Sequence, residues 1–294
     1  MITINELTVN LRILMLIVLL FIISAISVNA QKANPMENLK TSGYAPVNGI
    51  NMYYEIHGQG AIPLVLLHGG GSTIEVTFAN ILPIFSKYNK VIAVELQAHG
   101  RTSDRNSPES FEQDADDVAT LLKYLKVDKA NFLGFSNGGT TSLQIAIRHP
   151  EMVNKIVDVA GAYQREGFLP GFFDGFEGAT INSMPAPLKT AFLKVTPDNS
   201  KLLNMFNKDV ERMKNFKDIP DEYIHSIKVP ALIIVGSQDV MPVEHAIKLS
   251  HTITEAQLAV LPGVHGACLG EVTAKPGSKQ PEATAILIQE FLNE

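Results

Sequence analysis

The stretch Asn131-Phe132-Leu133-Gly134-Phe135-Ser136-Asn137-Gly138-Gly139-Thr140 sets a run of strand length directly against a serine held between glycines. Gly134 to Gly138 reads G-x-S-x-G, and that match alone carries little weight. Its setting gives it weight, because Asn137 to Arg148 is patterned as a helix closed by Pro150. A strand, a tight turn and a helix are what an exposed nucleophilic serine requires, since small residues at 134 and 138 let Ser136 occupy a strained conformation with its hydroxyl clear of the sheet. The helix that follows aims its positive end at the same point, which favours an oxyanion. The competing role for Ser136 is an ordinary helix cap.

A serine hydroxyl is a weak nucleophile near neutral pH and needs a base, which in turn needs an orienting acid. Two later strand ends supply them. Asp239 stands four residues beyond the apolar run Leu232 to Val235, and His265 follows the run Leu258 to Leu261 in Pro262-Gly263-Val264-His265-Gly266. The order Ser136, Asp239, His265 is one of the known triad orders. Upstream, Leu64 to Leu67 runs into His68-Gly69-Gly70-Gly71-Ser72, where missing side chains let backbone N–H groups approach a substrate oxygen. The expected oxyanion donors are the amides of Asn137 and Gly70, with Gly71 as the alternative to Gly70. No G-x-G-x-x-G spacing supports a dinucleotide turn here.

Outward from this centre, short apolar runs recur at Leu64 to Leu67, Val91 to Val94, Asn131 to Phe135, Ile156 to Val159, Ala231 to Val235 and Leu258 to Leu261. Strands apolar on both faces belong to a sheet covered by helices on both sides. Helical patterns fall between them: Ser110 opens one as a capping box with Gln113, and Asn137 to Arg148, Pro242 to Ser250 and Glu282 to Leu292 give three more. Asn48-Gly49 between two alternating segments predicts a hairpin at the start. The fold class expected is α/β, a doubly wound and mostly parallel sheet with a small antiparallel opening. One segment breaks the alternation. About residues 162–228 show no strand run, carry five prolines and seven of the fourteen phenylalanines, and read as a helical cap of short helices and loops.

The set His68-Gly69-Gly70-Gly71, Ser136 in its glycine-flanked turn, Asp239 and His265 resembles the α/β-hydrolase superfamily. The resemblance covers nearly all of residues 43–293 and includes Gln97-Ala98-His99-Gly100-Arg101-Thr102, where Glu95 takes the family's usual acidic position and Ala98 replaces its usual first glycine. His99 is given no chemical role. A serine at the elbow points away from family members that use aspartate or cysteine there. The resemblance implies acyl transfer through an acyl-enzyme, on a carboxylic ester or lactone of a small to medium apolar substrate, with no cofactor and no metal. Proline-type aminopeptidases, C–C bond hydrolases and cofactor-free haloperoxidases share the triad and remain alternatives. A binding receptor of the same fold is the alternative of another class, and the complete triad argues against it. Phe135, Tyr163, Phe172, Phe173 and Met241 are the candidate pocket residues, with the phenylalanine-rich cap offering apolar surroundings.

Of the 294 residues, 46% are apolar and 18% charged, a globular composition. Residues 1–30 read as a signal peptide: Arg12 precedes the apolar run Ile13 to Ile23, and compact Val28 and Ala30 suit cleavage after Ala30. Export to the periplasm or exterior is therefore expected, with a retained membrane anchor the lesser alternative. The formal charge of −6, with no basic run, speaks against a nucleic-acid partner. The expected partner is a small-molecule substrate, and the sequence specifies no oligomeric state. Cys268 is the single cysteine, so no internal disulfide forms, and without an elbow it reads as a small buried residue.

Overall fold

The computed structural model describes residues 40–294, and the expected leader at 1–30 lies outside the described residues. The first described elements are the expected hairpin, β1 (Lys40–Val47) and β2 (Ile50–His57), paired antiparallel in register from Lys40 with His57 to Val47 with Ile50. Asn48 and Gly49 turn it with φ of 41° and 89°, the two positive angles a tight two-residue hairpin demands.

Six parallel strands follow: β3 (Leu64–Leu67), β4 (Val91–Val94), β5 (Ala130–Phe135), β6 (Val153–Val159), β7 (Ala231–Gly236) and β8 (Ala256–Leu261). The eight strands lie in the order β1-β2-β4-β3-β5-β6-β7-β8. Helices cover both faces, as uniformly apolar strands require. On one face, α3 (Phe111–Tyr124), α4 (Asn137–Arg148) and α8 (Val243–Thr252) pack over Val65, Leu67, Phe132 and Ile233. On the other, the short α1 (Ile74–Phe78) and α2 (Leu82–Phe85) join α9 (Gln280–Asn293) over Leu64, Leu66, Leu133 and Ile234.

Three details depart from the expectations. The cap on α3 is one-sided: Ser110 Oγ accepts from the Gln113 amide at 3.1 Å, but the Gln113 side chain donates forward to Asp117 Oδ1 at 2.9 Å. Strand β8 is not covered on both faces, because it closes the sheet at an edge and leaves Leu258 and Val260 exposed. Ala98 adopts φ 60°, the left-handed backbone for which glycine is the usual residue, so the turn after β4 keeps its form at a small cost in strain.

The segment between β6 and β7 is helical as expected, yet not made only of short pieces. After 3-10 turns at Arg165–Gly167, Phe173–Phe176 and Ile181–Ser183 come α5 (Ala186–Val195), α6 (Asn199–Lys214) and α7 (Asp221–His225). Helix α6 is sixteen residues long, capped by Asp198 and burying Leu202, Met205, Phe206, Val210 and Met213. Its stripe is hard to read because Asp209 and Arg212, both charged, are buried on it too. Leu202, Met205, Phe206 and Val210 form a separate small core with Met184, Phe192 and Ala98, while Met213 packs with Phe111 and Phe216.

Candidate active site

Strand β5 is buried along its whole length and delivers Ser136 at its end with φ 55° and ψ −120°. The serine N–H donates to Val159 O at 2.8 Å, and its carbonyl accepts from Gly139 and Thr140 at 2.8 and 3.1 Å, starting α4. Such a conformation costs a non-glycine residue roughly 1–3 kcal/mol, and it persists because the surroundings fix it. A β-carbon at Gly134 would lie 2.0 Å from Gly138 O, and one at Gly138 would lie 2.2 Å from Leu67 O, so the turn admits no side chain at positions 134 and 138. The Ser136 side chain makes no helix-capping hydrogen bond, which leaves the hydroxyl uncommitted to that role.

The loop after β7 places Asp239 with its side chain only 2% exposed, and the loop after β8 places His265 against it, Nδ1 to Oδ1 at 2.6 Å. Each carboxylate oxygen is also fixed by a backbone donor: Gly236 N–H to Oδ2 and Met241 N–H to Oδ1, both at 3.3 Å. A carboxylate only accepts, so Nδ1 carries a proton, and Nε2 is the ring nitrogen left to act on the serine. The His265 ring packs on Phe135 with centroids 4.6 Å apart. That phenyl spans the site, since β-carbons at Gly69 and Gly266 would meet it at 3.1 and 3.0 Å, and the one at Gly69 would sit 3.3 Å from Ser136 Cβ.

Asp158, on β6, is the rival carboxylate from a neighbouring strand, and its hydrogen bonding lies elsewhere. Its Oδ1 accepts from Gly161 N–H at 2.8 Å, its Oδ2 has no partner among the described residues, and burial pushes its carboxyl up to about 8. It is a buried neutral acid, held where α4 comes closest to the chain beyond β6.

The glycine loop is anchored by buried His68, whose Nδ1 donates to Gly69 O at 2.8 Å while Nε2 accepts from Leu96 N–H at 3.0 Å. That pattern requires a neutral ring, and burial together with the neighbouring His99 holds it down at about 3. Of the two expected glycine donors, Gly71 is already engaged: its N–H donates to Asp209 Oδ2 at 2.5 Å. The amides of Gly70 and Asn137 have no acceptor among the described residues. The Asn137 side-chain amide lies against Gly70, 2.7 Å from where a β-carbon would stand.

The candidate pocket residues separate. Phe135 is at the site. Tyr163 is fully buried, its ring tilted against His245 with centroids 4.8 Å apart and its hydroxyl donating to Asp221 Oδ1 at 3.0 Å. Met241 is 1% exposed in the core under α8, and only its backbone N–H reaches Asp239. Phe172 and Phe173 join Phe168 and Phe216 in an aromatic cluster packed on Phe111 and Met213, with the Arg165 guanidinium 3.6 Å over the Phe173 ring. Among the described residues these rings pack on one another and on Phe176, not on the ring of His265, which with Ser136 and Asp239 makes up the candidate triad. An open cavity of about 680 Å³ beside Phe111 and Phe216 likewise contains none of those three residues. The apolar insertion residues next to the glycine loop are Met184 and Leu188, 3.4 and 3.9 Å from a β-carbon built on Gly71. Nothing in the sequence pattern set these two apart from other core residues. Cys268 is buried, and burial pushes its thiol up to about 12.

A strained serine turn on a buried parallel sheet, with a paired histidine and carboxylate at the following strand ends, defines a hydrolase of the α/β class. A family model for the alpha/beta hydrolase fold matches residues 62–222, more than half the chain, and the protein belongs to that family. Among its relatives, it is 26% identical over 229 residues to the dihydrolipoyllysine-residue acetyltransferase component of the acetoin cleaving system of Pseudomonas putida, covering 71% of this chain but 60% of that protein. It is 29% identical over 238 residues to the serine hydrolase BPHL of Homo sapiens (76% and 79% covered). It is 24% identical over 259 residues to 2-hydroxy-6-oxo-6-(2'-aminophenyl)hexa-2,4-dienoic acid hydrolase of Metapseudomonas resinovorans (79% and 87% covered). Among solved structures, a serine hydrolase involved in carbazole degradation superposes with TM-score 0.71 at 22% identity, covering 86% of this chain and 99% of that one. Est816, an N-acyl homoserine lactone degrading enzyme, gives 0.66 at 25% identity, with 84% and 99% covered.

Proposed function

We propose that the protein is a serine hydrolase that cleaves a carboxylic ester or lactone of a small to medium apolar substrate. His265 Nε2 takes the Ser136 proton, the hydroxyl oxygen attacks the carbonyl carbon, and the amides of Asn137 and Gly70 receive the oxyanion. Collapse returns the proton from His265 to the leaving alcohol, and water then attacks the acyl-enzyme with His265 again as base. Asp239 holds the ring and stabilises its cation throughout. One observation carries the reading: Ser136 is held at positive φ, and the amides of Asn137, next to it in the chain, and of Gly70, in the loop packed against it, have no acceptor among the described residues. Apolar Phe135, Met184 and Leu188 beside the loop support an apolar acyl group.

C–C bond hydrolysis is the second reading, favoured by the similarity to the dienoic acid hydrolase of Metapseudomonas resinovorans. In either case the mature enzyme starts at Gln31 and works outside the cytoplasm. A fluorophosphonate probe should label the wild-type protein and not Ser136→Ala. A panel of p-nitrophenyl esters, lactones and a dienoic ring-cleavage product should show ester or lactone turnover falling by several powers of ten in that variant. Turnover of the dienoic substrate alone would select the second reading. An unlabelled, inactive wild type would leave a binding protein.

A further inference from the structure

Helix α6 contributes a buried carboxylate to the glycine loop, and its partners are all accounted for. Asp209 Oδ2 accepts from Gly71 N–H at 2.5 Å and from His99 Nε2 at 2.9 Å, and Oδ1 accepts from Arg212 Nη2 at 2.9 Å. His99 Nδ1 faces Gln97 O at 2.8 Å, so both ring nitrogens face acceptors and both carry protons. Burial opposes this cation, but Asp209 outweighs burial and raises the ring to about 9. Burial likewise works against the Asp209 anion, and His99 and Arg212 outweigh it and hold the carboxyl well below its usual range. Arg212 also donates to Asp114 at 2.6 Å and to Glu109 at 2.5 Å. Two cations thus fix one carboxylate from the insertion on the N–H of the residue that follows Gly70.

We propose that Asp209 is a positioning residue for the oxyanion site, clamping Gly71 so that the seating of α6 and the aim of the Gly70 amide are one event. The inference rests on the serine hydrolase reading above. A donor contributes to an oxyanion only when already aimed, because reorienting it during reaction forfeits the gain. Gly70, without a side chain, has no anchor of its own; its neighbour Gly71 at φ 63° is held from the insertion and His68 holds the other side. His99 is thereby the counter-ion that keeps the clamp charged.

The test compares wild type with Asp209→Asn, which keeps the shape. Asparagine cannot satisfy all three donors: with its nitrogen at either position it faces Gly71 N–H or Arg212, donor against donor. A trifluoromethyl ketone forms a tetrahedral oxyanion on the serine and reads the site directly. The ketone's affinity and kcat for p-nitrophenyl acetate should fall together by about 10- to 100-fold, with KM changed less than about threefold. Thr196→Val removes the 2.6 Å bond from the insertion to Gly100 O, and it should move neither quantity. Should Asp209→Asn fail to fold, Asp209→Glu keeps both cations paired while displacing the clamp and reads the same ratio. Unchanged ketone affinity in a folded Asp209 variant, or an equal loss in Thr196→Val, overturns the clamp while leaving the serine hydrolase reading intact. A wild type that neither labels with fluorophosphonate nor binds the ketone overturns that reading itself.

Discussion

Replacing Asp239 with asparagine tests the proposed acid against its one structural rival. Both oxygens of Asp239 are acceptors with assigned donors, Gly236 N–H at 3.3 Å on Oδ2, and Met241 N–H at 3.3 Å with His265 Nδ1 at 2.6 Å on Oδ1. An amide nitrogen must therefore displace one of them. Placed at Oδ2, it opposes Gly236 N–H and leaves His265 a neutral partner in place of a charge. Placed at Oδ1, it opposes Met241 N–H and forces the ring into the tautomer whose Nε2 already carries a proton. Either outcome removes the support for the cation that forms when Ser136 is deprotonated, and kcat should fall by about 10³- to 10⁴-fold, or roughly 4–5.5 kcal/mol at 1.36 kcal/mol per decade. Asp158→Asn is the control. With its carboxyl pushed up to about 8 by burial, Asp158 is already neutral at pH 7, so the isosteric amide should leave kcat within a few-fold of wild type. The assay is initial-rate hydrolysis of p-nitrophenyl acetate at pH 7, with circular dichroism confirming the fold of both variants. Asp239→Asn retaining a tenth or more of the activity, or a thousandfold loss in Asp158→Asn, would refute the assignment.

Three further outcomes follow, the first from buried titratable groups. Asp158 (raised by burial to about 8) and His99 (raised by Asp209 to about 9, against burial) both bind protons more tightly folded than unfolded, so stability should fall as pH rises from 7 to 9. Thermal melts should lose several degrees over that window, with Asp158→Asn losing less, and a flat or rising Tm would contradict the sign. Phe173→Ala should lower Tm by roughly 3–8 °C, since a half-buried ring is worth about 1–2 kcal/mol, and should leave ester chain-length preference unchanged. Met184→Ala, beside the glycine loop, should instead shift that preference, and the reverse pattern would return Phe173 to the acyl pocket.

Most of the sheet was legible in the residues. Runs such as Leu64 to Leu67 and Val91 to Val94 became strands with the same bounds, because a strand buried on both faces has no polar position to blur its edges. The serine turn was legible for a similar reason, since glycines at 134 and 138 have a local steric cause. Asp239 and His265 could be nominated from strand ends, but Asp158 stood at one as well. Only the three-dimensional arrangement turned one carboxylate toward the imidazole and sealed the other against Gly161.

The insertion was the least legible part, because its contacts link residues far apart in the chain. Phenylalanine content pointed to Phe172 and Phe173, whereas packing set Phe172 on Phe168 and Phe173 on Phe216, and brought Met184 and Leu188 to the glycine loop. The pairing of Asp209 with His99 and Gly71 joins positions 110 and 138 residues apart, and nothing in the sequence around Asp209 points to either partner. By itself, then, the sequence determined the elements and the turn that carries the serine, through short-range sterics and burial period. Which charges meet, which amides stay free and which side chains face the site were decided by tertiary packing, where a buried ion must find its partner wherever the fold brings one.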